Sequence, residues 1–475
     1  MTIKQKAEKL VPFVTNAASQ SGKIHYCTIT SKSGNPGESI RTIDITGAIA
    51  EIFFYESILS NTLTATIIIL DTGFVADGEK AAKTSGLMST LKLSGGERVD
   101  FKIEDNNFNN ARVKKSIIEI PGGMYINRVR DMSNTTLKNV FAIDLVSSEF
   151  INNEKIRVTK RYDGKISESV SKILGDLIKG GSFANNPDIE ESSTEYSFIG
   201  NSKKPLYVCS WLASKCVPSV PTTGGKSPVG IYAGYFFYQT RDRFNFVSID
   251  KKMSSLQNSN SVKKFVYNNT GRLNEGEDES LNILSYSVKR TVDLGKDLSL
   301  GTYGNTTLFF DFLSMNYLPR TYDVVQDQSN GLNVNLNLPA REITEGPSRL
   351  MTRVLDVGTL PKGNTSQKQL EEWKKDPTKP TFDAANTMVQ SIMRYNQLFS
   401  VQTNVIVAGD FTISPGDIIE CNFASLNPDY GKEWDPEIST KYMVASVCHR
   451  MTPTETYTSL DLVSDTKGNY GGKGK

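Results

Sequence analysis

The 475-residue chain is predicted to be mainly β with inserted helices. Three observations carry that prediction. Strand-length runs of alternating apolar and polar residues recur from Lys23 to about Glu149, each bounded by Gly, Pro, Asn or Ser. Within them, Ile43–Gly73 holds two long strands that are apolar on both faces, which an ordinary surface hairpin does not need. The repeat then changes to that of a helix at YDGKISESVSKILGDLIKGG before strands resume.

The stretch IDITGAIAEIFFYESILSNTLTATIIILDTG (Ile43–Gly73) organises the rest. Strict alternation puts Ile43, Ile45, Ile49, Phe53 and Tyr55 on one face of its first strand. In the second strand Leu63, Ala65, Ile67 and Ile69 share a face, opposite Thr62, Thr64 and Thr66. Ile52, Phe54, Ile68 and Leu70 fall on the remaining face. Such strands need a layer over each side, from the same chain or from a neighbouring subunit.

Taken in order, residues 1–22 read as a short amphipathic arm with Leu10, Val11, Phe13 and Val14 as its apolar content. Strands follow at HYCTIT, LMSTLKLSGGERVDFKI, ARVKKSIIEI, GGMYINRVRDM and KNVFAIDLVSSEF, a spacing that suits an antiparallel barrel or sandwich. Turns are expected at Ser33–Gly37, Gly95–Gly96, Asn106–Asn107, Pro121–Gly123 and Ser133–Asn134. Ile166, Val170, Ile173, Leu174, Leu177 and Ile178 make one helical stripe, stopped by Gly180–Gly181. A second helix is predicted at KPLYVCSWLASKCV, with Pro205 in its first turn and Val208, Cys209, Leu212, Ala213 and Cys216 on its buried side.

Residues 218–229 form a Pro/Gly/Ser-rich connector. GIYAGYFFYQTRDRFNFVSID then divides into two aromatic-rich strands at Thr240–Arg243. KKFVYN, LNILSYSVKR and TTLFFDFL give a mixed pattern, and 328–365 offer short strands at best. Ser366 and Gln369 have capping-box spacing for a short exposed helix, QKQLEEWKK, with Glu371 and Lys375 an i,i+4 ion pair. A longer helix, TFDAANTMVQSIMRYNQLF, turns Ala385, Met388, Val389, Ile392 and Phe399 inward. Four strands close the chain, SVQTNVIVAG, DIIECNF, KYMVASVCHR and TYTSLDLVSD, with a type II turn at Ser414–Asp417. The last residues, 466–475, read as a flexible basic tail, open also to a tethering role.

Composition excludes several function classes. With 54 basic and 52 acidic residues, the net charge of +2 argues against a dedicated nucleic-acid binder, though not against a surface that nucleic acid slides past. The five cysteines form no CxxC pair, and Cys209 and Cys216 read as core residues of a helix, with a vicinal thiol pair the sharper alternative. No signal peptide and no membrane span is expected. His25 and His449 both sit in strand patterns, and satisfied structural histidines are expected there. Gly225–Lys226–Ser227 imitates the end of a P-loop, but Val220 stands where the first glycine belongs, so it reads as linker. No catalytic residue, cofactor site or metal site is predicted. The inventory favours a structural or binding protein over an enzyme.

Six stretches taken together resemble the central baseplate hub proteins of contractile-tailed bacteriophages, a family similar to the tail-tube protein. They are Asp44–Gly73, Leu93–Ile103, Tyr125–Leu174, Asn201–Cys216, Gly234–Asp250 and Ile413–Asp465, and their order and spacing carry the match. Roughly 255–400 carries little of it. The resemblance implies two tail-tube-type antiparallel β-barrel domains in one chain plus helical and mixed domains. Three chains would then present six quasi-equivalent barrels, adapting the hexameric tail tube to a trimeric central spike.

On that basis the expected organisation is an arm at 1–22, a first barrel at 23–150 and a helical insert and linker at 151–229. Mixed strands and helices at 230–397 include part of a second barrel, 398–465 complete it, and 466–475 are tail. Phe53, Phe54, Tyr55, Leu63, Ile67, Ile68, Ile69 and Leu70 are the candidate intersubunit or tube strands, and Thr62, Thr64 and Thr66 the candidate solvated or lumenal face.

The expected partners are two further copies of the chain as a homotrimer, the tail tube protein, a central spike or spike-lysozyme protein, baseplate wedge proteins and passing DNA without tight binding. The location implied is the virion tail baseplate, assembled in the host cytoplasm. The chain ends about ten residues after its last strand, so any lytic activity is expected in a partner. Two other classes compete. A receptor- or glycan-binding trimeric tail protein would carry aromatics and carboxylates around a shallow groove. A cell-wall hydrolase component would hide an unrecognised carboxylate pair. Within the structural class, the rival is the hub-like N-terminal part of a secretion-system spike.

Overall fold

In the computed structural model the described residues are 22–31, 40–72, 87, 93–105, 107, 116–134, 138–178, 186–219, 234–249, 251–252, 262–267, 281–289, 294–312, 315–323, 341–356, 358–359, 367–368, 371, 384–399, 401–424, 434–435 and 438–464. All but the last residue of the expected arm, nearly all of the 218–229 connector, the Gly225–Ser227 motif and the basic tail lie outside them. Of the helix expected at 367–375, Gln367, Lys368 and Glu371 are described and helical.

Alternating apolar residues build one long sheet from two distant parts of the chain. The first part supplies β1 (Lys23–Ser31), β2 (Arg41–Asp44), β3 (Ile49–Ser57), β4 (Thr64–Asp71), β5 (Arg98–Glu104), β6 (Ile117–Glu119), β7 (Met124–Asn134) and β8 (Asn139–Val146). Their order is β3-β4-β8-β7-β5-β1-β2. Every second side chain points to a single core that includes Cys27, Ile52, Ala65, Val99, Ile126 and Ile143. Contributions from both ends and the middle of the path to one cluster mean that the sheet curls over its own face.

The second part supplies β14 (Lys263–Tyr267), β15 (Ile283–Lys289), β19 (Val401–Ala408), β20 (Ile418–Phe423), β21 (Thr440–Met451) and β22 (Thr456–Ser464). These run β15-β19-β22-β21, with β20 also on β21 and β14 on β20. They curl around their own core, including Phe265, Val405, Phe423, Tyr442 and Leu460. The two ends approach each other at one bridge, Val266 to Asn282. Among the described residues neither set closes into a complete barrel.

Turn chemistry fixes these strands where the sequence predicts it. Gly416 has φ +84°, and the Asp417 N–H donates to the Ser414 carbonyl at 3.1 Å, so Ser414–Asp417 is the expected tight turn. Gly123 has φ +72°, and a Cβ there would lie 2.9 Å from the Val99 carbonyl oxygen, so only glycine fits.

Between the two strand sets lies a mixed module with its own core. It contains α1 (Ser148–Lys155), β9 (Arg161–Tyr162), α2 (Ile166–Ile178), β10 (Asp188–Ile189), β11 (Phe198–Ile199), α3 (Pro205–Ala213), β12 (Tyr235–Gln239) and β13 (Phe244–Ser248). The α2 stripe is buried from Ile166 to Leu177, and Val208, Cys209, Leu212, Ala213 and Cys216 pack against it. β12 and β13 pair with each other and with β10 in a separate sheet, not with the strands after 398. The segment expected to continue as strand to Phe150 ends at Val146, and α1 begins at Ser148.

Further on come α4 (Leu294–Leu300), α5 (Arg341–Thr344), α6 (Ala384–Leu398) and a sheet ordered β17 (Asn316–Asp323), β16 (Gly304–Asp311), β18 (Arg349–Val354). Phe309 and Leu318 turn one face of this sheet to the module core, where Val389 of α6 also packs. Lys215 holds the arrangement. Its ammonium lies 4.8 Å from the centres of both the Tyr196 and Trp211 rings and 2.7 Å from Asp356, just beyond β18.

Candidate assembly surface

The seam between the two strand sets is the antiparallel pairing of β21 with β3, which places Arg450 opposite Phe53, His449 opposite Phe54 and Cys448 opposite Tyr55. β3 and β4 are therefore interior strands, flanked by β21 and β8 of the same chain. The layers that their two apolar faces require come largely from within the chain.

A register shift between Ile49 and Glu51 sets the phase of β3. The extra residue moves Ile49 onto the face of Ile52 and Phe54, which join the first core. Phe53 and Tyr55 face the other way, with Cys448 and Ile68. The expected first strand is in fact β2, a 3-10 turn at Thr46–Ala48 and β3. Strict alternation therefore misplaces Ile43, Ile45 and Ile49, which line the first core and not the face of Phe53 and Tyr55. It also misplaces Ile68, which packs with Phe53 and Tyr55 and not with Ile52 and Phe54.

The candidate residues separate as follows. Phe54, Leu63, Ile67 and Ile69 are wholly buried in the first core. Phe53 and Tyr55 are buried on the opposite face, their rings stacked 6.3 Å apart and 8° from parallel. Ile68 is half-buried against them. Of the eight, Leu70 is the exposed one, at 37%. Thr62 and Thr64 are half-buried, whereas Thr66 is buried and so departs from the expected solvated face. Its hydroxyl donates to Asp144 at 2.8 Å, and Arg130 donates to the same carboxylate oxygen at 3.0 Å. On β21 the Arg450 guanidinium donates to Glu51 at 2.9 Å and lies 5.8 Å from the Phe53 ring centre. Arg130 and Arg450 thus stand against carboxylates, while Arg128, opposite Asp144 on the same face, is exposed.

The tip of the β12–β13 hairpin docks where the two strand sets meet, an arrangement that sequence reasoning missed. Gln239 accepts from the Leu63 N–H at 3.1 Å and the Ser147 hydroxyl at 3.2 Å, while its amide donates to the buried Glu149 at 3.2 Å. The Arg241 N–H donates to Glu56 at 2.7 Å, and its guanidinium reaches Ser414 at 3.4 Å. Burial pushes the Glu56 carboxyl up, opposed by the nearby Arg241 charge. Thr240–Arg243 was legible as a turn. Nothing in its spacing marked what it docks against.

The histidines sit in different settings. His25 lies 2.7 Å from Glu104 on a partly exposed ladder. His449 is buried, 3.2 Å from the Thr458 hydroxyl and edge-on to Phe411. Burial, with the Arg241 charge nearby, holds its pKa down at about 3, so it is neutral at physiological pH. All five cysteines are buried, and burial pushes the Cys27, Cys209, Cys216 and Cys421 thiols up, away from nucleophilic ionisation. Among the described residues no three His, Cys, Asp or Glu side chains cluster as a metal site. No described helix is long and apolar enough to cross a membrane.

No protein-family model matches the chain, and no curated protein does. Among solved structures it is similar to the tail protein from Neisseria meningitidis MC58, at 10% identity over 94% of this chain and 97% of that one, with a TM-score of 0.47. It is also similar to the 43 kDa tail protein of prophage MuSo2 from Shewanella oneidensis, at 8% identity over 92% and 98% of the two chains, TM-score 0.45. A third similar structure is the lidded Francisella PdpA-VgrG complex, at 9% identity over 98% of this chain and 56% of that one, TM-score 0.44.

Proposed function

We propose that the chain is the structural hub of a phage tail baseplate, three copies of which close a pseudo-sixfold ring between a hexameric tail tube and a trimeric spike. One observation carries the reading: a single polypeptide supplies two curled strand sets, each with its own core, joined edge to edge by β21 and β3. A ring segment duplicated within one chain is what lets threefold symmetry meet sixfold symmetry. The sequence resemblance points the same way, and each set is the proposed counterpart of a tube-type barrel.

The action is mechanical and steric. Thr62 and Thr64, with the Asp144–Arg130 and Glu51–Arg450 pairs beside them, suit a passage wall, because a guanidinium paired with a carboxylate attracts phosphate less than a free one, and Arg128 is left as the exposed cation of this face. Sedimentation equilibrium of the purified protein at micromolar concentration tests the assembly. A mass of three chains, with retention on purified tail tubes, is expected. A stable monomer that ignores tubes overturns the reading.

A further inference from the structure

The inward face of the β17–β16–β18 sheet carries positive charge that the chain does not answer. Register places Arg349 of β18 beside Asn305 of β16, Arg320 of β17 beside Thr307, and Arg353 of β18 beside Phe309. In the strand sets and the mixed module, arginines meet carboxylates: Arg98 with Asp100, Arg130 with Asp144, Arg161 with Asp163 and Arg450 with Glu51. Among the described residues these three do not. Arg349 donates to the Leu300 carbonyl at 3.1 Å, Arg353 to the Met388 sulfur at 3.4 Å and Arg320 to the adjoining Pro319 carbonyl at 3.5 Å. Asp311 is the carboxylate of this face, at the opposite end of β16 from Asn305, so three guanidinium groups stand against one carboxylate. Asp297 of α4 accepts from the Tyr303 hydroxyl at 3.2 Å and forms no ion pair with Arg349.

The polar groups between Arg320 and Arg349 are unanswered too. Asn305 and Thr307 have no exposed surface, yet neither amide atom of Asn305 nor the Thr307 hydroxyl has a hydrogen-bond partner. The buried Nε of Arg320 has none either. Asn305 and Thr307 stand roughly 7 Å apart along β16 and about 4.8 Å from the flanking strands, so the four side chains are within reach of one small group. The turn at Gly301, after α4, roofs this end: a Cβ there would lie 2.9 Å from the Asn305 Cβ and 3.0 Å from that of Arg349.

We propose that Asn305, Thr307, Arg320 and Arg349 bind a small tetrahedral oxyanion, phosphate or sulfate, between the sheet and the turn that follows α4. Guanidinium, amide and hydroxyl groups all donate to oxygen, and the guanidinium bonds are the strong, charge-assisted ones. A dianion balances the two arginines. Water satisfies an amide and a hydroxyl, but it brings no charge to set against two guanidinium groups held off solvent. The complete burial of Asn305 and Thr307 selects a free ion over a phosphate carried on a polymer, whose chain would have to enter with it. The ion ties β17, β16 and β18 to the turn above them. The site lies outside both strand sets and is independent of the hub reading.

The test uses the full chain, dialysed exhaustively into a chloride buffer. Radiolabelled phosphate is titrated by equilibrium dialysis at constant ionic strength, and melting is followed at each phosphate concentration. Saturable binding of one phosphate per chain, competed by sulfate, is expected, with a melting temperature that rises as the site fills. Arg320→Gln and Asn305→Leu each remove a donor, and each should weaken binding by about tenfold or more while keeping the wild-type circular dichroism. Arg320 is half-buried, so Arg320→Gln carries the test should Asn305→Leu not fold. Absence of saturable binding overturns the inference and assigns the amide and hydroxyl to water. Binding that the folded variants leave unchanged also overturns it, as an adventitious ion only.

Discussion

The β3–β4 pair and the β17–β16–β18 sheet present the same kind of sequence, strands with apolar residues on both faces. They end differently. Around β3 and β4 the two layers are largely internal: Phe54, Ile67 and Ile69 enter the first core, and Phe53 and Tyr55 are buried against Cys448 of the other strand set. On β16, Phe309 is buried in the module core while Phe310 and its neighbours on β17 and β18 look outward. Two-sided apolarity predicts that a strand needs two covers. It does not say whether the chain or its neighbour provides the second.

Charge at equivalent depths breaks the comparison most sharply. Ile67→Asp buries an unpaired carboxylate in the first core and is expected to cost more than about 4 kcal/mol, leaving no soluble folded protein. Removing a docking charge comes next. Arg241→Ala leaves Glu56 buried without its counter-charge and should cost about 3 kcal/mol in a urea melt, whereas Glu56→Gln should cost less.

Acid then separates the seam from the exposed sheet. His449 is held neutral down to about pH 3 in the folded chain against an ordinary value of 6.5, so protons bind the unfolded chain preferentially between those values. Its contribution is complete above pH 6.5 and falls as the pH drops. Lowering the pH from 6.5 to 4.5 should remove about 2 kcal/mol of stability through this group, and His449→Gln should flatten that part of the urea-midpoint profile. The smallest effects belong to the threonines. Thr66→Val loses one hydroxyl bond to Asp144 and should cost about 1 kcal/mol, while Thr64→Asp should stay within about 0.5 kcal/mol and keep the oligomer mass unchanged.

Local pattern made much of this legible. The alternation of Leu63, Ala65, Ile67 and Ile69, the stripe from Ile166 to Leu177, Pro205 at the start of α3 and the Ser414–Asp417 turn all appear where periodicity and turn chemistry place them. One inserted residue at Ile49–Glu51 defeated the phase of β3, because alternation assumes that no bulge intervenes. α4 has no buried residue, and so no stripe to read. The pairing of β21 with β3 joins residues nearly four hundred positions apart, and no local rule reaches that far. The docking of Gln239 and Arg241 is hidden for the same reason. The outward face of β16 was within reach, since Leu308, Phe310 and Phe312 alternate in TTLFFDFL.

The duplicated ring segment is the central claim, and negative-stain or cryo-electron microscopy of the purified protein addresses it most directly. End-on averages are predicted to show an annulus of six similar lobes related by a threefold axis. Three lobes per ring, or isolated particles holding a single pair of lobes at concentrations where sedimentation reports assembly, would contradict it.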